Sequence, residues 1–258
     1  MIRILRLGNS SDLALDIASG GRAHEIAGRM VAEVSGEEVE TVLRPIWPDE
    51  NLPALVSKWM DEFEPDVVFL RINAVWFNSE SIPLRIQRKL PFGGASIGNL
   101  AERATKRGWL NQSPIYRRLR KIALSTIGYE THFTTGEVIA RMDDCIRRIV
   151  AKEGVALIVR GSFGQRDKSG TLPARIAAEH EARRREVSDG IRAICERSHV
   201  TYLARAVRDP AYAQPSIRGS DGIHPSDHGH RLDGNDEGAA LVAEWQRLHS
   251  LQATRPGD

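Results

Sequence analysis

Short apolar runs rich in β-branched residues alternate along the chain with segments in which apolar residues recur every three or four positions. The short runs are typical of buried strands, and the periodic segments match one face of a helix. The runs predict five strands, at 2–7, 39–43, 67–70, 155–159 and 200–203. The periodic segments predict helices at 22–34, 52–63, 134–149, 173–198 and 236–249. This alternation implies βαβ crossovers, so we predict an α/β fold with a parallel sheet.

One stretch interrupts the alternation. Residues 79–129 contain no strand pattern, and proline and glycine punctuate their first part. Ser113-Pro114 then starts a short helix with apolar residues on one side and mostly Arg and Lys on the other. We therefore predict a single domain over 1–258 that carries a helical insertion at about 79–129. The other irregular segments are predicted as two long loops and a frayed tail, at 163–172, 206–220 and 252–258.

The charge balance changes the picture of this insertion. The 258 residues include 36 Lys and Arg and 34 Asp and Glu, a net charge of +2 that gives no indication of a nucleic-acid partner. Residues 79–129, however, hold 10 Lys and Arg against 2 Asp and Glu, so they carry +8 and the rest carries −6. The insertion is interpreted as a lid over a substrate pocket, as a patch for transient contact with anionic lipid at a membrane surface, or as a solvated helical cap.

Composition also bears on the compartment. No apolar run approaches the ~18 residues of a membrane span, and the N-terminus lacks the apolar run of a signal peptide. Two cysteines, Cys145 and Cys195, do not make a disulfide framework. We therefore expect a cytoplasmic protein, and its oligomeric state is left open.

The residues that follow the strands carry the candidate chemistry, because ligands of parallel sheets bind at the carboxyl ends of the strands. Ser10 follows strand 1, Asn73 follows strand 3, and Asp221 and His224 lie beyond strand 5. A serine hydroxyl becomes a nucleophile when a histidine takes its proton, and a carboxylate orients that histidine. An amide such as that of Asn73 can stabilise the oxyanion that forms.

Three segments together resemble the SGNH, or GDSL-type, hydrolases: Gly8-Asn9-Ser10, Leu70-Arg71-Ile72-Asn73 and Asp221-Gly222-Ile223-His224-Pro225. The resemblance implies a flavodoxin-like three-layer α/β/α sandwich with a five-stranded parallel sheet. It also implies a serine esterase without metal or cofactor that acts on a small-molecule ester through an acyl-enzyme. Ser10 is then the nucleophile, His224 the base and Asp221 its support. The side chain of Asn73 and the backbone N–H of Ser10 hold the oxyanion.

The chain departs from the family pattern at three places. Ile72 stands where the family has a small residue before the Asn-bearing turn. Asn9 stands where the family has Asp before the nucleophile. The family's oxyanion glycine after strand 2 has no clear equivalent in Arg44-Pro45-Ile46-Trp47-Pro48. Proline has no N–H, so a second backbone donor from this segment has to be Ile46 or Trp47.

Several alternatives stay open. Asp221, His224 and His228 are spaced so that they could bind a metal ion for a metal-dependent hydrolase. A non-catalytic flavodoxin-like binding protein is the other candidate, although no glycine-rich phosphate motif follows any strand. Ser11 is an alternative nucleophile, and acyl transfer to an alcohol other than water would use the same residues.

Arginines recur at the predicted strand ends, and Arg71 and Arg160 lie next to the candidate site. We predict that these two bind an anionic group of the substrate, and that Trp76 lines the pocket. The alternatives are ion pairs between the arginines and acidic helix residues, and a simple core position for Trp76.

Overall fold

The computed structural model describes residues 1–9, 12, 17–79, 81–82, 84–85, 114–126, 128–162, 172–204 and 224–253. Its sheet has five strands: β1 (Ile2–Gly8), β2 (Val39–Pro45), β3 (Val67–Arg71), β4 (Ala156–Arg160) and β5 (Thr201–Leu203). Their order is β2-β1-β3-β4-β5, and every neighbouring pair is parallel. This is the flavodoxin-like order, and the predicted five-stranded parallel sheet is confirmed.

The helices follow the predicted alternation. They are α1 (Ala23–Ser35), α2 (Leu52–Phe63), α3 (Val75–Asn78), α4 (Pro114–Thr126), α5 (Thr135–Val150), α6 (Ala174–Arg197) and α7 (Asp227–Ala253). The prediction was wrong about the last helix, which begins at Asp227 rather than at 236 and includes Gly229. The apolar periodicity is lost in its first turns because the buried positions there are polar. Residues 252 and 253 of the predicted frayed tail belong to this helix, and 254–258 lie outside the described residues.

The two faces of the sheet are covered by different helices. On one face, Ile4, Phe69 and Ile158 form a buried core with residues of α1 and α7 such as Val31 and Leu241. On the other face, α2 packs against β1. Helix α5 lies beside α2, because the Arg148 guanidinium donates to Ser57 Oγ at 3.2 Å and Lys152 Nζ lies 2.6 Å from Asp61 Oδ1. The predicted three-layer α/β/α arrangement is confirmed.

The chain divides into two compact units. The first comprises 1–73, 139–163 and 188–258 and contains the sheet. The second comprises 74–138 and 164–187, so it includes the predicted insertion and a second segment that the sequence pattern did not group with it. The interpretation of 79–129 as an insertion in a single domain stays a prediction. Among the described helices, none is both long and apolar enough to cross a bilayer.

Candidate active site

The carboxyl ends of β1 and β3 are neighbours in the sheet. Leu7 pairs with Leu70, so Gly8 and Arg71, the last residues of the two strands, end at the same level. Ser10 and Asn73 each follow these ends by two residues along the chain. Asn73 is half-buried. The sequence prediction therefore assigned the two residues to equivalent positions after adjacent strands.

His224, the predicted base, is half-buried and precedes α7. Ser226 directly precedes α7 and caps its first turn: its Oγ accepts the N–H of Gly229 at 3.2 Å and its carbonyl accepts that of His230 at 2.8 Å. Ser10, Ser11 and Asp221 lie outside the described residues, so the Ser10–His224–Asp221 arrangement stays a prediction.

Two hydrogen bonds join Asn9 and Asp12, which follow β1. The Asp12 N–H donates to the Asn9 carbonyl at 2.9 Å. The Asn9 N–H donates in return to Asp12 Oδ2 at 2.9 Å. We call this hydrogen-bonded pair of residues the nucleophile turn, because the predicted nucleophile Ser10 lies between them in the sequence. Asp12 thus closes the turn with both its backbone and its side chain.

Asp12 also belongs to a group of charged side chains that are each at most 3% exposed. We call this group the buried ion cluster: Arg6, Asp12, Arg71, Arg160, Asp233 and Glu237. It holds three guanidiniums and three carboxylates, so its formal charges cancel. A buried charge is costly unless it is paired in this way.

The contacts of the cluster link β1, β3 and β4 to α7. Asp12 Oδ1 lies 2.6 Å from Arg6 Nη2 and 3.2 Å from Arg71 Nη1. The contacts to α7 include Arg6 Nη1–Glu237 Oε2 at 2.7 Å, Arg71 Nη2–Asp233 Oδ2 at 3.2 Å and Arg160 Nη2–Asp233 Oδ1 at 3.4 Å. Burial alone would raise the pKa of Asp12, but Arg6 and Arg71 outweigh it and hold that pKa well below its usual range.

Two matching patterns place the cluster there. On β1, Ile4 and Arg6 lie two residues apart and therefore on the same face of the sheet, apolar first and charged towards the strand end. On α7, the order of polar and apolar positions is reversed. The buried residues near the start of the helix are polar (His230, Asp233 and Glu237), and the apolar Leu241 follows them. Sequence analysis missed the acidic partners because it followed apolar residues only. Continuing the helical spacing backwards from Leu241 would have found them.

His230 lies next to the cluster at the start of α7. Its Nδ1 accepts the N–H of Ala23 at the start of α1 at 3.2 Å, and it is 1% exposed. Among the described residues, its buried Nε2 has no hydrogen-bond partner. Burial, and next the charge of Arg71, lower the pKa of His230, so the ring is neutral near neutral pH.

Esterases of known structure resemble this chain. EstA, a psychrotrophic esterase from Pseudoalteromonas sp., superposes with a TM-score of 0.54 at 10% identity, over 96% of this chain and 100% of that one. The aryl esterase of M. smegmatis gives a TM-score of 0.51 at 14% identity over the same shares. Est24, a carbohydrate acetylesterase from Sinorhizobium meliloti, gives 0.52 at 11%, again over 96% and 100%. The chain has the SGNH-hydrolase fold. No family profile and no curated protein matches the sequence.

Within this SGNH fold, the segment after β2 offers fewer oxyanion donors than the sequence suggested. The Ile46 N–H donates to the Gly8 carbonyl at 3.0 Å and so fastens the end of β2 to that of β1. This bond engages the Ile46 N–H, one of the two donors that the sequence offered. The assignment of Trp47 stays a prediction.

The arginines at the strand ends lie beside carboxylates or an aromatic ring. Arg71 and Arg160 are paired with acidic residues of α7, the alternative that the sequence left open. Arg44 stacks over the ring of Phe63, with 4.6 Å between its guanidinium carbon and the ring centroid. Binding of a substrate anion by Arg71 or Arg160 stays a prediction.

Trp76, the third predicted substrate contact, lies in the second unit. It is 1% exposed, and its carbonyl accepts the N–H of Phe133 at 3.2 Å. Neighbouring Asn78 donates from Nδ2 to the His180 carbonyl at 3.1 Å. These contacts are those of a core position, and the substrate contact stays a prediction.

The candidate metal ligands and the two thiols are the other sources of reactivity in the sequence. His224 precedes α7 whereas His228 lies in it, so the two do not share one helical face. In the part of the chain that the structure describes, no three His, Cys, Asp or Glu are grouped as metal ligands. Burial raises the pKa of the Cys145 and Cys195 thiols to about 12, so neither is a nucleophile near neutral pH.

Proposed function

We propose that this protein is a carboxylic ester hydrolase of the SGNH type and that it works through an acyl-enzyme on Ser10. The observation that carries the proposal is the sheet order, which makes the ends of β1 and β3 neighbours. Ser10 and Asn73 each follow those ends by two residues. Ester hydrolysis of this type needs a nucleophile and an oxyanion donor that both reach one carbonyl group.

The proposed reaction has two steps. The Ser10 hydroxyl adds to the ester carbonyl while His224, supported by Asp221, takes the hydroxyl proton. The Asn73 amide and the Ser10 backbone N–H hold the oxyanion, which then collapses, and His224 protonates the departing alcohol. Water activated by His224 next attacks the acyl-enzyme and releases the acid. An alcohol in place of this water would make the product a new ester.

Labelling with a fluorophosphonate, mapped by mass spectrometry, tests this proposal. We expect stoichiometric modification of Ser10, loss of labelling in Ser10→Ala and His224→Ala, and full labelling in Ser11→Ala. Hydrolysis of p-nitrophenyl acetate should fall at least 1000-fold in Ser10→Ala, as is usual for loss of a nucleophile. A folded protein that takes no label overturns the serine mechanism.

The same measurements distinguish this proposal from a metal-dependent hydrolase and from a non-catalytic binding protein. Activity that survives EDTA and disappears in Ser10→Ala contradicts a metal-dependent hydrolase built on Asp221, His224 and His228. A binding protein without catalysis would show neither labelling nor ester turnover.

We further propose that α4 contacts an anionic membrane surface. Leu119 and Ile122 are 59% and 52% exposed, so the apolar side of the helix faces solvent at these positions. Arg118 and Lys121 are exposed on the same helix. An amphipathic helix with basic and apolar residues exposed together suits the interface of an anionic bilayer.

A further inference from the structure

We propose that Asp12 is a positioning residue that holds the nucleophile turn in register with β1 and β3. The inference rests on the proposed function, because the turn matters for activity only if Ser10 is the nucleophile. Asp12 itself is two residues beyond Ser10 and touches no reacting atom in this proposal. It acts through the backbone of Asn9.

The two carboxylate oxygens of Asp12 have separate partners. Oδ1 accepts from Arg6 Nε at 2.8 Å and from Arg71 Nη1 at 3.2 Å. Oδ2 accepts from the Asn9 N–H at 2.9 Å, and the Asp12 N–H donates back to the Asn9 carbonyl. One side chain therefore fixes both ends of the turn to the side chains of two adjacent strands. Ser10 follows one of these strands, and Asn73 follows the other.

A carboxylate is required because both oxygens accept hydrogen bonds. An asparagine at position 12 has a single acceptor oxygen. If that oxygen faces the two guanidiniums, the amide NH₂ faces the Asn9 N–H, and two donors oppose each other. If it faces Asn9, the NH₂ faces Arg6 and Arg71. Asp12→Asn therefore breaks one of the two connections at almost constant volume.

Gly8 provides a second way to disturb the same carboxylate without changing any charge. A Cβ on Gly8 would lie 1.9 Å from Asp12 Oδ2 and 2.8 Å from its Cγ. Gly8→Ala therefore pushes the carboxylate away from the Asn9 N–H. Two chemically unrelated substitutions are thus expected to give the same functional defect.

Glu237 provides the matched control. Like Asp12, it is a fully buried carboxylate of the ion cluster, and it pairs with Arg6 at 2.7 Å. Its described contacts are with arginines and do not include Asn9. Glu237→Gln and Asp12→Asn each remove one negative charge from the cluster, so a merely structural role predicts equal effects of the two substitutions on folding and on activity.

The experiment measures kcat and KM with p-nitrophenyl acetate, together with the rate and the end point of fluorophosphonate labelling. The end point counts folded sites, and all rates are given per labelled site. We expect kcat and the labelling rate of Asp12→Asn and Gly8→Ala to fall about 100-fold with KM changed less than threefold, because a misplacement of about 1 Å costs about that much. Glu237→Gln should keep kcat within threefold.

The outcomes separate this inference from the proposed function. Wild-type protein that neither labels nor turns over ester contradicts the proposed function and the inference together. If the wild type labels at Ser10 and Asp12→Asn matches its rate per site, only the inference is wrong. Equal loss of kcat per site in Asp12→Asn and Glu237→Gln also overturns it, because the effect would then belong to the charge of the cluster.

If Asp12→Asn fails to fold, Asp12→Asn/Arg71→Met restores the charge balance, with two guanidiniums facing two carboxylates. We expect this double variant to label to full end point but at the slow rate. A wild-type rate per site in a refolded double variant contradicts a positioning role for Asp12.

Discussion

At the scale of single residues, the unusual feature is the buried ion cluster, whose six charged side chains are shielded from solvent near the strand ends. Each guanidinium of the buried ion cluster lies near at least two carboxylates, so no member depends on one partner. Removing one partner of a buried pair typically costs 3–5 kcal/mol, because the other charge is left without compensation. The cluster therefore stabilises one specific arrangement of strand ends.

His230 makes this region sensitive to acid. Its pKa is lowered in the folded state, so the unfolded state binds the proton more tightly. The contribution of neutral His230 to the free energy of unfolding is therefore fully present above the unfolded pKa of ~6.5. It is lost as the pH falls through the folded pKa. We expect unfolding in urea to show this loss as the pH falls below ~6.5, with a slope of at most about 1.4 kcal/mol per pH unit from this group.

His230→Asn tests this prediction, because an asparagine oxygen can replace Nδ1 as the acceptor for the Ala23 N–H. The variant should lose the part of this pH dependence that His230 contributes. The same substitution at His249, which is exposed on α7, should keep it. An unchanged slope in His230→Asn would show that other groups cause the acid sensitivity.

At the scale of elements, the contact between α1 and α7 depends on glycine. A Cβ on Gly234 would lie 2.7 Å from Ile26 Cβ and 2.9 Å from the Ala23 carbonyl oxygen. A Cβ on Gly238 would lie 3.2 Å from Ala27 Cα. The close approach of the two helices lets α7 bring Asp233 and Glu237 down to the arginines of the sheet.

Gly234→Ala should therefore destabilise the protein. Overpacking costs about 1–3 kcal/mol, and the nearest atoms are a backbone oxygen and a Cβ that cannot rotate away. The gain in helix propensity of about 1 kcal/mol offsets only part of this cost. Thermal and urea unfolding measure the net loss.

Gly28→Ala in α1 is the control for this prediction. A Cβ there meets Thr41 Oγ1 at 3.6 Å and Val39 Cγ1 at 3.7 Å, which are ordinary contacts. This variant should be as stable as the wild type or more stable. If Gly234→Ala is equally well tolerated, the close approach of α1 and α7 is not needed for stability.

At the scale of the whole molecule, charge is distributed unevenly along the chain. The stretch 79–129 carries +8, and the remainder carries −6. In the described residues, α4 shows Arg118 and Lys121 exposed together with Leu119 and Ile122. Each basic residue near an anionic bilayer contributes about 1 kcal/mol to the free energy of membrane binding. We therefore expect membrane binding by this stretch to depend on the charge of the lipid.

We expect co-sedimentation with vesicles that contain phosphatidylglycerol and much less with pure phosphatidylcholine. Binding should weaken at high salt because exposed charges are screened. Arg118→Glu/Lys121→Glu should abolish binding, and Leu119→Ser/Ile122→Ser should reduce it.

The control for this prediction is Arg147→Glu/Arg148→Glu, which makes the same change of charge at exposed positions of α5. This variant should bind as the wild type does. Equal loss in both charge-reversed variants would assign the effect to net charge rather than to α4, and equal binding to both kinds of vesicle would contradict the proposal.

Sequence by itself determined the five strands, most helices and the candidate residues at the strand ends, because each depends on a local pattern of neighbouring residues. The start of α7 was placed wrongly because its buried stripe of His230, Asp233 and Glu237 is polar. Only the tertiary structure showed that these carboxylates neutralise Arg6, Arg71 and Arg160, since the pairs are far apart in sequence. The same holds for Ile46, whose N–H is engaged by Gly8 of a different strand. Strand order and long-range ion pairing arise from packing, which a pattern of local residues does not contain.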